Sequence, residues 1–285
     1  MRLIAGLVIP LLIFAPSSAN AASSLRDPYT GIVPSDANPG QTGAQMLQCN
    51  SPDPARAVIG CSAVIRAGGQ PDNMSVAYNR RGVAYERRGE YDLALADFDQ
   101  AIRANPKNAE ALRNRGDHYE AAGDPAHAME NYNEAIAINP KSAEAFHQRG
   151  IAYIVSGDTA HAVADYNQAI SLNPKFAAAY GNRGDAYRTG GDPDRAIADF
   201  DFAIKLEPKL SNAFLGRGLA LEDKGDYMRA IADFTQAIRV DPMNVAAYDE
   251  RASAYEHAGA HDKALADAAA AAKLDPQNPD AHRLH

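Results

Sequence analysis

Residues 177–210 read AAAYGNRGDAYRTGGDPDRAIADFDFAIKLEPKL, and this stretch decides the fold. Its proline, Pro208, belongs to a series at 106, 140, 174, 208, 242 and 276, spaced by 34 residues each time. Setting each proline as position 32 defines six units: 75–108, 109–142, 143–176, 177–210, 211–244 and 245–278. Position 8 is glycine in the first five units and Ala252 in the sixth; position 15 is glycine, and positions 20 and 27 alanine, in all six. In the quoted unit these are Gly184, Gly191, Ala196 and Ala203. Of the 21 aromatic residues, 15 stand at positions 4, 11 and 24, as Tyr180, Tyr187 and Phe200 do here. A period of this length is the mark of a repeat architecture rather than of a compact globule.

Spacing divides each unit into two helices. Positions 4, 8 and 11 share one face of the first, and positions 20, 24 and 27 one face of the second. Glycine at 15 suits a left-handed cap, and the acidic residue after it (Glu90, Asp124, Asp158, Asp192, Asp226) suits the N-terminus of the second helix. Small residues at 8, 20 and 27 let the helices approach closely, and the rings at 4, 11 and 24 are expected to fill the core between them.

This pattern resembles the tetratricopeptide repeat family, matched from 75 to 278. The resemblance implies an all-α fold, a right-handed superhelical solenoid of antiparallel helix pairs. One departure recurs: arginine replaces the usual apolar residue at position 7 (Arg81, Arg115, Arg149, Arg183, Arg217, Arg251). Aspartate recurs at position 23 (Asp97, Asp165, Asp199, Asp233, Asp267), with Asn131 the exception. The two are expected to pair within or between units, for ~1 kcal/mol or less if exposed. Residues 43–74 read as a degenerate earlier half-repeat, with Ala57, Cys61 and Val64 at the 20, 24 and 27 spacing, before Gly68 to Asn73 break the phase. In the sixth unit the alanines 268–272 replace bulky residues, as suits a terminal repeat.

The ends and the charge bound the setting. Met1-Arg2, the apolar run Leu3 to Ala15 and Ala19-Asn20-Ala21 read as a secretory signal over 1–21, cut after Ala21. An uncleaved anchor is the alternative, but the run is short of the ~20 residues that span a bilayer. The expected location is periplasmic or secreted, without membrane insertion after cleavage. Residues 22–42 read as a flexible linker and 279–285 as a tail. Cys49 and Cys61 flank a turn-rich stretch; they are either buried thiols or a disulfide, and the export signal favours the disulfide. With 28 basic against 36 acidic residues, the chain lacks the basic footprint of a nucleic-acid binder.

The resemblance further implies that the first helices line a concave groove through positions 2, 5, 6, 9, 12 and 13. Leaving out position 6, these carry ten acidic residues against three arginines, which favours neutral or basic ligand segments. Asn114, Gln148 and Asn182 share position 6 in successive units, a row of carboxamides able to bond an extended backbone. Ile151, Ile154 and Val155 offer apolar anchors. Asn79, Arg113, Asp117, His147, Asp185 and Arg188 complete the candidate peptide-binding set. Glu144 and Gln148 replace the basic residues with which some family members clamp a terminal carboxylate.

No catalytic or metal-ligating pattern is present, and no cofactor is implied. The eight histidines share no position, and Gly216-Arg217-Gly218, a fragment of a phosphate loop, lies mid-helix with no strand before it. The sequence therefore points to a non-enzymatic interaction scaffold that takes a protein or peptide in its groove. A self-associating envelope protein, or a non-catalytic subunit of an envelope enzyme complex, is the alternative.

Overall fold

The structure, a computed structural model, describes residues 39–276; the expected signal over 1–21 and the tail 279–285 lie outside them. The described residues hold fourteen α-helices and no strand, and they form two compact units that divide between Ser156 and Gly157. The first unit carries α1 (Pro39–Cys49), α2 (Pro54–Ala67), α3 (Pro71–Arg87), α4 (Tyr91–Ala104), α5 (Ala109–Ala121), α6 (Pro125–Ile138) and α7 (Ala143–Val155). The second carries α8 (Thr159–Leu172), α9 (Ala177–Thr189), α10 (Pro193–Leu206), α11 (Ser211–Asp223), α12 (Tyr227–Val240), α13 (Val245–His257) and α14 (His261–Leu274). Within each unit successive helices pack as hairpins, and the first helices of adjacent repeats also touch, α3 with α5 and α5 with α7, α9 with α11 and α11 with α13. The fold is all-α, as the period requires. Among the described residues no helix is long and apolar enough to cross a membrane.

Local chemistry explains the boundaries. Glycine at position 15 adopts a positive φ in every repeat, from 72° at Gly259 to 82° at Gly157. The next residue's N–H then reaches back to the carbonyl of position 11, as Asp124 does to Tyr119 at 2.8 Å, closing the first helix. The side chains of Asp124, Asp158, Asp192 and Asp226 accept from the N–H three residues on and start the second helix. Glu90 does not cap: its extra methylene carries the carboxylate past the N–H, and it pairs with Arg88 at 2.6 Å instead. The phase break before the first repeat becomes an extra helical turn, since α3 starts at Pro71, four residues before Ser75. Helix α1 starts at Pro39, inside the stretch read as linker, with proline suited to a first turn.

The core is narrower than the aromatic count suggests. Rings at position 24 (Phe98, Tyr132, Tyr166, Phe200, Phe234) are buried among the alanines of positions 20 and 27. Gly82, Gly116, Gly184 and Gly218 of the first helices each sit against one of them: a β-carbon would lie 2.7 Å from Phe98 at Gly82 and 2.4 Å from Phe234 at Gly218. Most rings at positions 4 and 11 are only half-buried, so the expectation that all three positions are core fails. They flank arginine instead. Arg81, Arg183 and Arg251 each lie between the rings at 4 and 11 of their own repeat, 5.5–6.0 Å from the centroids.

The same arginines carry the expected pairing. Nε and one terminal nitrogen of Arg81, Arg183, Arg217 and Arg251 donate to both oxygens of Asp97, Asp199, Asp233 and Asp267 at 2.6–2.8 Å. Arg115 meets Asn131 in this role at 2.8 Å. The other terminal nitrogen reaches position 25 of the preceding repeat: Ser62 for Arg81, Asp99 for Arg115, Asn133 for Arg149, Asn167 for Arg183, Asp201 for Arg217 and Thr235 for Arg251. Arg81, Arg115, Arg183, Arg217 and Arg251 thus each tie their own hairpin to the preceding one. The pairs are not exposed, for the four aspartates keep at most 10% of their side-chain surface.

Candidate functional site

Where first helices lie side by side, side chains from positions 5, 6, 9, 10, 12 and 13 meet across repeats. In the first unit, Asn114 on α5 donates to Asn79 Oδ1 on α3 at 2.8 Å, and His118 Nδ1 lies 3.0 Å from Glu86 Oε1. Asp117 gathers three donors: Arg113 at 2.7 Å, Gln148 of α7 at 3.0 Å and the Tyr132 hydroxyl at 2.9 Å. That hydroxyl also lies 2.8 Å from Glu120 Oε2. A phenol carries a single proton, so both contacts are hydrogen bonds only when one carboxyl supplies another. Burial raises the pKa of Glu120, against the pull of the Tyr132 hydrogen bond. Burial likewise raises Glu86, despite its bond to His118.

The second unit repeats the theme with other residues. Arg188 of α9 is buried, 3.3 Å from Asp185 Oδ1 and 3.5 Å from Asp223 Oδ2 of α11. Ser253 of α13 donates to Glu222 Oε1 at 3.3 Å. Leu215 is buried beneath this face, and Leu219 is half-buried beside it.

Of the residues expected to bind, Asn79, Asn114, His147, Ile151, Asn182, Asp185 and Arg188 are buried, and Arg113, Asp117, Gln148 and Ile154 half-buried. Val155 is 56% exposed. The structure brings Asn79 to Asn114, Arg113 and Gln148 to Asp117, and Asp185 to Arg188; Asn182, Asp185 and Arg188 belong to the second unit. The carboxamides are engaged within the fold, because Asn114 and Gln148 each direct an amide N–H to a neighbouring helix. His147 is 1% exposed, and burial depresses its pKa to about 4, so it is a neutral packing residue at neutral pH. Glu110 and Glu144 remain exposed at position 2. Sequence reasoning missed Glu86–His118 and the role of Tyr132; the signal was a hydroxyl at a position that is phenylalanine in three other repeats.

The sequence model of the tetratricopeptide repeat family matches residues 79–143, 147–211 and 215–279, more than half of the chain. Among solved structures, MamA is 28% identical, with a TM-score of 0.51, covering 59% of this chain and 92% of its own. PilF of Pseudomonas aeruginosa is 18% identical, with a TM-score of 0.66, covering 74% and 96%. YrrB, described as a TPR protein with an unusual peptide-binding site, is 20% identical, with a TM-score of 0.52, covering 65% and 95%. No curated protein matches the chain in sequence.

Proposed function

The chain belongs to the tetratricopeptide repeat family, and from that premise we propose that it is a non-enzymatic scaffold binding an extended segment of a partner protein on its first helices. The observation that carries this reading is the α5–α7 face. There Asp117 is fixed by three donors, Glu110 and Glu144 stand exposed, and Ile154 and Val155 lie on the same helix as Glu144. Held carboxylates beside apolar side chains suit a segment that is neutral to basic with apolar anchors. The peptide-binding site ascribed to YrrB supports the same use of the fold. The internal bonds of Asn114 and Gln148 shift the role of recognition from the amide row to the exposed acidic residues.

The setting proposed is the periplasm or the exterior, after cleavage of the signal at Ala21. The Cys49–Cys61 disulfide supports this, because such bonds persist in oxidising compartments. Fluorescence anisotropy with labelled ten-residue peptides tests the binding mode. A peptide alternating lysine with leucine should bind at low salt, and its acidic counterpart should not. The double variant Glu110→Lys, Glu144→Lys should weaken the basic peptide at least about tenfold, since each exposed charge contributes on the order of 1 kcal/mol. Equal affinity for both peptides, or no loss in a variant with wild-type circular dichroism, would defeat the reading.

A further inference from the structure

The hairpin α1–α2 keeps step with the repeats but lacks what holds them closed. Pro54 stands at position 17 and Cys61 at 24, yet position 7 is Ala44 and position 23 is Gly60, so neither half of the arginine–aspartate pair is present. Cysteine also takes the place of the ring at 24. In their stead Cys49 and Cys61 are bonded, with Cα atoms 4.4 Å apart and both side chains buried. The helices touch so closely that a β-carbon on Gly60 would lie 2.4 Å from the Cys49 backbone nitrogen.

The two helices differ in how they are held. Helix α2 is secured to α3 without the disulfide: Arg81 donates to Ser62 Oγ at 2.9 Å, and Cys61 and Val64 pack with Ala77. Helix α1 adds Cys49 to that cluster, with Met46 half-buried against it, while Leu47 is 76% exposed. The turn residue Asn50 is bonded by Arg80 of α3, which anchors the turn rather than the helix.

We propose that the Cys49–Cys61 bond does in this hairpin what the arginine–aspartate pair and the buried ring do in the others, making α1 a redox-conditional end cap. Oxidised, α1 covers the Cys61–Val64–Ala77 cluster; reduced, it detaches and uncovers it. The bond forms when the two thiols give up two protons and two electrons to the disulfide of an exchange partner, which leaves as a dithiol. Dithiothreitol reverses it, closing to its own cyclic disulfide as the two cysteines regain their protons.

Hydrogen exchange on the full chain tests this. One sample stays oxidised; the other is reduced with dithiothreitol in urea and diluted back to buffer, with two alkylatable thiols confirmed by mass. Amides of α1 should exchange about a hundredfold faster after reduction, the size expected for loss of so short a cross-link. Those of α3 to α7 should be unchanged. Cys49→Ala should reproduce the reduced pattern without any reductant. Equal α1 protection in both samples would overturn the proposal, and so would loss of protection spread through α3 to α7.

Discussion

At Gly218 an added β-carbon would sit 2.4 Å from the Phe234 ring, whereas at Gly184, in the same repeat position, it would meet Phe200 at 3.1 Å. The first contact forces the helices apart; the second asks for a few tenths of an ångström. Gly218→Ala is expected to lower stability by about 1–3 kcal/mol, and Gly184→Ala by distinctly less, read as shifts in the urea midpoint. His147 supplies a second residue-scale test. Its folded pKa, about 4, lies below the 6.5 of a free histidine, so the unfolded chain takes up the proton first as pH falls. Its contribution is complete above the free value and is lost between there and about 4, up to roughly 3 kcal/mol. Glu86 and Glu120 have raised pKa values and work in the opposite sense, losing stability as pH rises. The difference between wild type and His147→Gln isolates histidine: it should shrink on acidification through that window, and a constant difference would contradict the assignment.

At the scale of the helical hairpin, the arginine at position 7 joins three helices. Arg217 holds Asp233 of its own repeat through two nitrogens and Asp201 of the preceding one through the third. Lysine has one point of charge and cannot divide itself this way. Arg217→Lys should therefore cost about 2–4 kcal/mol, close to the cost of Arg217→Met, because either leaves Asp233 short of donors in a buried setting. Thermal unfolding of the two variants decides it, and full retention by the lysine variant would show that charge alone suffices. Recurrence of arginine and aspartate at one spacing made their pairing legible, but not whether it runs within a repeat or between repeats. The reach to position 25 was not, because the acceptor there changes among Ser, Asp, Asn and Thr.

At the largest scale, the first hairpin and the last repeat among the described residues each lack half of this link. Ala44 stands at position 7 of the first hairpin and Ala269 at position 25 of the last repeat, both exposed. Copies meeting end to end in the array's own register would set one alanine against the other, with no arginine and no acceptor. Open head-to-tail growth needs a heterologous contact of that kind. Sedimentation velocity should accordingly show no growth in species size with concentration; filaments would reverse this and revive self-assembly as the function.

The repeat length, the helix pairs, the glycine turns, four of the five acidic caps and the buried ring at position 24 were determined by the sequence alone. Each depends on residues within a turn or two of one another, so local spacing suffices. Tertiary structure alone decided that the rings at 4 and 11 flank arginine, that His147 is buried, and that the Tyr132 hydroxyl reaches Asp117 and Glu120. Those outcomes depend on what a neighbouring helix presents at the same height. One-dimensional spacing says which residues share a face, and only packing says what that face meets.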